Sequence, residues 1–244
     1  MIYNDETIDD LQNGYYIIQK KNGFKFGVDA VLLADFAKNA ASKSTLDLCA
    51  GTGIVPILLC AKTDTRQIHA LEIQKDIADM AARSVEHNKL TDRITVKCGD
   101  LKNAVEIYGK GKFDKITCNP PYMKGGAGLE NAADTKTISR HEIMCSLEDV
   151  IEVSSKLLIS KGKFFMVHRP SRLADIMCLM REYKIEPKKL RLVFPSPSKA
   201  PNLALIEGMK DGGAELKMLP PLYVYNENGE YSEEIDEIYG RNIK

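Results

Sequence analysis

Short apolar segments alternate with helical patterns through most of this chain, and the alternation restricts the fold more than any other feature. Five segments have the length and apolar content of buried strands, and helical patterns occupy the connections between them. Strands that alternate with helices predict a parallel sheet covered by helices on both faces. The predicted strands are Thr45–Leu48, Gln67–Leu71, Ile94–Lys97, Phe113–Cys118 and Lys163–Val167.

Both ends of the chain add strands to this pattern. Tyr15–Gln19 and Gly23–Phe26 predict an N-terminal β-hairpin, which precedes an apolar helix over Ala30–Lys38. Strands near Leu190–Phe194 and Leu203–Met209 follow each other closely, which favours an antiparallel hairpin at one sheet edge. The sequence thus predicts a doubly wound α/β fold with a mostly parallel, seven-stranded, Rossmann-like sheet. We divide it into an N-terminal extension (1–40), a main domain (41–225) and an acidic tail (226–244).

Length and composition favour one well-packed domain. The chain has 244 residues, of which 44% are hydrophobic. Its apolar runs stay below the ~18 residues that span a bilayer, and its acidic start lacks a signal-peptide pattern, so we expect a cytoplasmic protein without membrane contact. The six cysteines form no Cys-x-x-Cys pair and the four histidines have no ligand spacing. We therefore expect mostly buried, reduced thiols and no metal.

Charge is unevenly distributed, although formal net charge is zero. Residues 156–200 contain eleven lysines and arginines against three acids, while both ends are acidic. A local basic surface can bind phosphates. The alternative is that these cations lie on ordinary solvated helix faces.

Three successive predicted strands end at an acid, namely Asp47, Glu72 and Asp100. The carboxyl ends of neighbouring parallel strands meet in one crevice, where ligands of α/β sheets bind. After the first strand, Gly51 and Gly53 form a small-residue turn that lets the backbone approach a ligand before a helix begins. A single acid could simply cap its following helix. All three together indicate a nucleoside site, for which a nicotinamide dehydrogenase is one candidate.

The fourth predicted strand leads into Asn119-Pro120-Pro121-Tyr122. Consecutive prolines fix the backbone and prevent a helix from starting at once. The side-chain oxygen of Asn119 and the backbone oxygen of Pro120 can each accept a hydrogen from one NH2 group, and Tyr122 can stack on the flat group that carries it. Such a site orients a weakly nucleophilic amine and needs neither a strong base nor a metal.

The acids, the glycine turn and this tetrapeptide together resemble the class I S-adenosylmethionine-dependent methyltransferases. The spacing of 68 residues between Gly51 and Asn119 is typical of that superfamily. The resemblance implies S-adenosyl-L-methionine as cofactor and S-adenosyl-L-homocysteine as product. It implies that Gly51 and Gly53 line the cofactor turn, that Asp47 positions the methionine end, that Glu72 binds the ribose and that Asp100 contacts the adenine.

Other positions refine this resemblance. Asn119, with Pro120, Pro121 and Tyr122, is implied to be catalytic and to border the cofactor. Phe26 and Asp29 are implied to cover the methionine end of the cofactor. Cys49 departs from the glycine that many such turns have at this position, although a small residue should still fit.

Further segments are similar to the bacterial tRNA(Val) adenine-N6 methyltransferases. They are Phe24–Ala34, Ser139–Glu142, Val167–Leu173, Glu186–Lys189 and Leu205–Gly208. The similarity spans nearly the full length and implies methyl transfer to an adenine near the anticodon of tRNA. It implies no obligate protein partner.

Without a separate RNA-binding domain in this sequence, the catalytic domain itself would have to contact the RNA. A glycine-rich loop with Lys124 could close over a flipped base, with Arg140 and His141 near the substrate mouth. Cations beyond it are candidates for phosphate contact. These are Arg169, Arg172, Lys188, Lys189, Arg191 and Lys199.

Three alternatives remain open from the sequence. The same tetrapeptide serves methyltransferases of rRNA or DNA base amino groups. It also serves the methyltransferases of a release-factor glutamine, which normally carry a helical N-terminal domain, whereas about 14 residues precede the first predicted hairpin here. The third is a non-enzymatic cofactor-binding scaffold, which the intact Asn119–Tyr122 motif disfavours.

Overall fold

The computed structural model describes residues 2–12, 14–22, 25–121 and 145–241. The strands are β1 (Glu6–Gln12), β2 (Tyr15–Lys20), β3 (Ser44–Leu48), β4 (Gln67–Glu72), β5 (Ile94–Cys98), β6 (Phe113–Cys118), β7 (Leu158–His168), β8 (Ile185–Phe194), β9 (Leu203–Lys210), β10 (Lys217–Met218) and β11 (Leu222–Tyr223). The helices are α1 (Val28–Ala37), α2 (Ile54–Lys62), α3 (Lys75–His87), α4 (Ala104–Tyr108), α5 (Leu147–Leu157), α6 (Leu173–Glu182) and α7 (Glu233–Ile238).

The central sheet has the strand order β10-β8-β9-β7-β6-β3-β4-β5, and β11 pairs with β8 beyond β10. All pairs from β5 to β7 are parallel, while β9 runs antiparallel to both β7 and β8. The predicted α/β fold with an antiparallel hairpin is therefore confirmed. Seven strands are long, and the two-residue strands β10 and β11 extend the sheet to nine. Strand order reverses beside β3, which places the crevice there.

Apolar side chains fill the space on both faces of this sheet. One buried cluster joins α1, α2 and α7 to the sheet, and the other joins α5 and α6 to the opposite face. The inner strands are apolar on both faces because helices cover both. Because helices cover both faces, a ligand can reach the sheet only at the ends of its strands, and the carboxyl ends are the ones next to the crevice.

The N-terminal hairpin is present, but its predicted strand composition is wrong. β2 pairs with β1, which precedes it, with Ile8 opposite Ile18. Lys25 and Phe26 lie outside any strand. β1 could not be predicted because its acidic residues are untypical of a strand. Their pairing with cations far away in the chain is seen only in the folded structure. Helix α1 also begins earlier than predicted, with Gly27 rather than Asp29 at its N-cap.

The hairpin is fixed to α3 by polar groups one helical turn apart. The backbone NH of Ile18 donates to Ser84 Oγ at 3.0 Å, and the NH of Tyr16 donates to Asn88 Oδ1 at 2.8 Å. Asn88 Nδ2 returns a bond to the Tyr16 carbonyl at 2.7 Å. These bonds satisfy one edge of β2, which would otherwise be open for pairing.

A buried ion pair adds to this contact. Arg83 binds Glu6 through both terminal nitrogens at 2.7 Å, and the Glu6 side chain is 1% exposed. The hydrogen bonds from Arg83 lower the pKa of Glu6 from 4.5 to about 2. The carboxylate therefore stabilises the fold above its ordinary pKa range.

The C-terminal segment packs against the domain. Ile235 and Ile238 of α7 are buried in the core cluster that contains α1. Arg191 holds Glu234 with two bonds of 2.7 and 2.8 Å. Within the described ranges, none of the helices combines the length and apolar character that crossing a bilayer requires.

Replacing Glu6 with glutamine should lower the free energy of unfolding by about 1–3 kcal/mol at pH 7, because the charged bidentate contact to Arg83 is lost. The loss should shrink as the pH falls from 4.5 towards 2, where wild-type Glu6 also becomes protonated. Urea unfolding across this range measures the difference. The matched control is Asp5→Asn, since the Asp5 side chain is 67% exposed and should change stability by less than about 0.5 kcal/mol. A difference in unfolding free energy between Glu6→Gln and wild type that does not change with pH would contradict this account.

Candidate active site

Backbone hydrogen bonds tie the ends of four parallel strands together at one edge of the sheet. Leu48 is opposite both Leu71 and Cys118 in the parallel register. Beyond the strands, Ala50 NH donates to the Leu71 carbonyl at 3.0 Å and Gly99 NH donates to the Glu72 carbonyl at 2.9 Å. The segments that follow β3, β4, β5 and β6 are thereby held side by side.

The turn after β3 contains three residues with positive φ. Gly51 has φ +54° and Gly53 has φ +89°, as their residue type allows. Cys49 also lies in this region, at φ +58°, a backbone conformation that glycine adopts more readily than cysteine. A Cβ on Gly51 would meet no atom within 4 Å, so the backbone faces open space. The turn therefore has room for a ligand against its backbone.

Glu72 closes the other side of this turn. Its Oε2 accepts from Gly51 NH at 3.0 Å, and its Oε1 accepts from Gln74 NH at 2.9 Å. The residue is 5% exposed. Oε1 also accepts from Gln74 Nε2 at 3.4 Å, whereas Oε2 keeps a lone pair for a further donor. The structure thus brings Gly51 and Glu72, both predicted site residues, into direct contact.

Asp47 lies deeper, inside β3. Its Oδ1 accepts from Thr117 Oγ1 of β6 at 2.6 Å. Burial raises the pKa of Asp47 from 3.8 to about 8, against the hydrogen bond from Thr117. Thr117 could not be predicted as part of the site, because a threonine inside an apolar strand carries no sign of the residue that it faces across the sheet.

Asp100 follows β5 and has one oxygen engaged. Its Oδ1 accepts from Lys102 NH at 2.9 Å and caps the short 3₁₀ turn of Leu101–Asn103. Asp100 therefore has the capping role that the sequence leaves open as an alternative to ligand binding. Oδ2 of Asp100 takes no part in this capping and lies at the same sheet edge as Glu72.

Asn119 directly follows β6 and has an unusual environment. Its Oδ1 is buried, and no donor in the described parts of the chain reaches it. An unpaired buried acceptor costs about 1–3 kcal/mol, so its presence requires an explanation such as a ligand or a catalytic role. Pro120 is buried and Pro121 is half-buried. Together they fix the backbone on which Asn119 is held.

Phe26 and Asp29 flank the start of α1. The NH of Phe26 donates to Gln19 Oε1 at 2.9 Å, and its ring packs partly on the core. Asp29 Oδ1 accepts from Ala30 NH at 2.9 Å in the first helical turn, where an acid is favourable. A Cβ on Gly27 would lie 2.7 Å from Asp29 Oδ1, so glycine provides the space for this carboxylate.

The predicted phosphate-contact residues do not form one group. Lys188 Nζ donates to the carbonyls of Gly213 and Ala214, and Lys189 pairs with Glu207 at 2.7 Å. Both lie in the first half of β8, away from the strand ends. Arg191 is likewise bound to Glu234.

Other cations lie closer to the strand ends. Arg169 directly follows β7, and the exposed Arg172 pairs with Asp175 at 2.7 Å. Lys199 is exposed beyond the end of β8. Tyr122, Lys124, Arg140 and His141 lie outside the described residues.

The thiols are less uniformly buried than expected. Cys60 and Cys118 are buried, Cys49 and Cys145 are half-buried, and Cys98 and Cys178 are exposed. Burial raises the pKa of Cys118, beside the turn that contains Cys49. Within the described residues, no group of three or more His, Cys, Asp or Glu is arranged to hold a metal ion.

The chain is similar to known methyltransferases. Residues 26–182 match the model of the family described as methyltransferase small domain. The chain is 30% identical over 189 residues to a tRNA1(Val) (adenine(37)-N6)-methyltransferase of Porphyromonas gingivalis, covering 75% of this chain and 73% of that protein. A protein of the same name from Flavobacterium psychrophilum is 26% identical over 193 residues, covering 79% and 81%.

Solved structures share the fold. A protein described as a predicted O-methyltransferase from Agrobacterium tumefaciens superposes with a TM-score of 0.69 at 23% identity, over 87% of this chain and 95% of that one. The T. thermophilus 16S rRNA N2 G1207 methyltransferase, solved with AdoMet and guanosine, has a TM-score of 0.59 at 17% identity, over 84% and 50%.

Asp47→Asn should remove a pH dependence of stability. The pKa of Asp47 is raised because burial favours its protonated carboxyl. Relative to the charged form, this protonated group stabilises the fold fully below pH 3.8, and the contribution is lost as the pH rises to about 8. The variant keeps an acceptor for Thr117 and should gain at least about 1 kcal/mol over wild type at pH 8. Unfolding by urea between pH 4 and pH 8 tests this, with the exposed Asp64→Asn as control. Parallel stability curves for wild type and Asp47→Asn would refute the prediction.

Proposed function

The chain belongs to the methyltransferase small domain family, and from this membership we propose that it transfers a methyl group from S-adenosyl-L-methionine to the N6 amine of an adenine in tRNA. The relatives named tRNA1(Val) (adenine(37)-N6)-methyltransferase support this substrate. The observation that carries the proposal is the buried Oδ1 of Asn119 at the carboxyl edge of the sheet, which accepts no hydrogen bond from the residues that the structure describes.

The residues beside β3, β4 and β5 suit the cofactor. The open space at Gly51 gives room for a chain against the backbone, and Glu72 lies beside that space with acceptor capacity for ribose hydroxyls. Asp100 offers a second acceptor, one strand further, for an adenine amino group. We assign the methionine end to the turn of Gly51 and Gly53, together with Asp47, Phe26 and Asp29. When bound, the cofactor supplies an activated methyl group on a sulfonium leaving group.

Asn119 would act on the amine itself. An exocyclic amine is a poor nucleophile because its lone pair is delocalised into the ring. If Asn119 Oδ1 and the Pro120 carbonyl each accept one amine hydrogen, the lone pair turns out of the ring plane towards the methyl group. The acceptors also stabilise the positive charge that develops on nitrogen. The proton becomes acidic as the bond forms, so a strong base is not required.

The fixed geometry of this acceptor fits such a role. The two prolines after Asn119 hold its backbone, and Oδ1 already lacks a protein donor in the described residues, so little reorganisation precedes the reaction. Tyr122 is the next residue in the chain after Pro121 and remains the predicted stacking partner for the base.

The RNA would approach the same edge of the sheet. Arg169, Arg172 and Lys199 follow the ends of β7 and β8 and are the cations we assign to phosphate contact. The internal contacts of Lys188, Lys189 and Arg191 favour structural roles for these three. A single-stranded loop is the form of RNA that presents an unstacked base.

Labelled methyl transfer to unmodified bulk tRNA should yield N6-methyladenosine, identified by nucleoside mass spectrometry. Asn119→Ala should lower the rate at least about 100-fold with unchanged cofactor affinity, because it removes a transition-state contact. Asp100→Ala should mainly weaken cofactor binding, measured by calorimetry.

The matched control for both variants is Asp64→Ala, an exposed acid away from the site, which should match wild type. Label in a release factor, rRNA or DNA but not in tRNA would keep the amine chemistry and overturn the substrate. Lost cofactor binding in Asn119→Ala with retained turnover would reverse the assigned roles.

A further inference from the structure

The C-terminal segment exposes a stack of aromatic rings. Tyr225 stacks on Tyr231 with ring centroids 5.1 Å apart and an angle of 19° between the planes. Tyr231 continues to Tyr239 at 6.4 Å, and the Arg241 guanidinium lies 4.7 and 4.6 Å from these two rings. Tyr225 and Tyr231 are 38% and 41% exposed. Several large aromatic rings that are stacked on each other and exposed are unusual on a protein surface, and they indicate a binding function.

The stack is firmly held to the domain. Tyr225 and Tyr231 face each other across a tight turn, in which Asn226 NH donates to the Glu230 carbonyl at 2.9 Å. Tyr225 NH donates to the Pro195 carbonyl at 2.9 Å. With α7 buried on α1, these bonds make the rings a fixed surface rather than a loose tail.

The stack lies at the active-site edge of the sheet. β11, which leads to Tyr225, is parallel to β8, and β8 is parallel to β7 and β6 because β9 reverses between them. The end of β11 is therefore on the same edge as Asn119. The two are separated by four interstrand spacings, roughly 19 Å or about six stacked nucleotides.

A cleft adjoins the exposed end of the stack. Its volume is about 520 Å³, and its walls are the turn Ser196–Ser198 on one side and Tyr225 with Gly229 on the other. This size is in the range of small-molecule sites. A Cβ on Gly229 would meet no atom within 4 Å, so the cleft is open on that side.

The charges around the cleft select what can enter it. Glu227 lines the cleft, and Glu230 lies in the same turn. Two carboxylates repel a phosphate, whereas they tolerate a neutral planar ring. Lys199, exposed just beyond Ser198, can hold a phosphate outside the cleft.

We propose that a second nucleobase of the RNA substrate, distinct from the methylated adenine, stacks on Tyr225 in this cleft. The inference rests on the proposed function, since it requires an RNA substrate. Tyrosine offers a flat face to any base, and the hydroxyls of Ser196 and Ser198 in the cleft wall offer hydrogen bonds to its edge. The C-terminal segment thereby contributes to substrate binding and not to the methyl transfer step.

Tyr225→Ala should raise the KM for tRNA by about 5- to 150-fold, the range for loss of one base–aromatic stack. The affinity for S-adenosyl-L-methionine and kcat should be unchanged. Tyr225→Phe keeps the ring and should match wild type. The control is Met218→Ala, because Met218 is 56% exposed but lies on β10, beside the middle of β8 and not at its carboxyl end.

Photocrosslinking of wild-type protein tests the site without any substitution. tRNA carrying 5-iodouridine near the target should give a crosslinked peptide that contains Tyr225. An unchanged KM for Tyr225→Ala, or crosslinks confined to other peptides, would overturn the stacking site while wild-type tRNA methylation still stands. Absence of methylation by wild type would instead overturn the proposed substrate, and this inference with it.

Discussion

The parallel pairing of β3 with both β4 and β6 is the constraint on which the rest of the site depends. It aligns Leu48 with Leu71 and Cys118, so the segments that follow these strands begin at the same level. The hydrogen bond from Gly51 NH to Glu72 Oε2 and the bond from Thr117 to Asp47 both follow from this register. A shift of one strand by one residue would place Asp47 and Thr117 on opposite faces of the sheet and separate them.

The sheet and the position of Glu72 beside the glycine turn could be predicted, because the strands and the turn have local signatures. Apolar runs mark the inner strands, and parallel topology then brings acids at their ends together without any knowledge of side-chain contacts. This reasoning correctly placed Glu72 beside the glycine turn. The position of Asn119 after β6 follows in the same way, since prolines end the strand wherever the fold puts it.

Other features depend on contacts between residues far apart in the chain. The acidic sequence of β1 does not resemble a strand, because the charge of Glu6 is neutralised only by the distant Arg83. The role of Thr117 likewise depends on its hydrogen bond to Asp47, 70 residues away in the chain. The ion pairs of Lys189 with Glu207 and of Arg191 with Glu234 also could not be predicted, because sequence spacing does not reveal these carboxylate partners. The tyrosines of the C-terminal segment lie within an acidic stretch and become adjacent only when it folds back on α1.

The proposed methyl transfer depends on one contact, in which Oδ1 of Asn119, unpaired among the described residues, accepts a hydrogen bond from the amine of the target base. Its most direct test is a double-mutant cycle of RNA affinity, which combines Asn119→Ala with replacement of the target adenine by purine, which lacks the amine. One neutral hydrogen bond predicts a coupling of about 1 kcal/mol, so removing the amine should weaken binding to wild type about fivefold more than to the variant. Equal losses in both proteins would contradict the account.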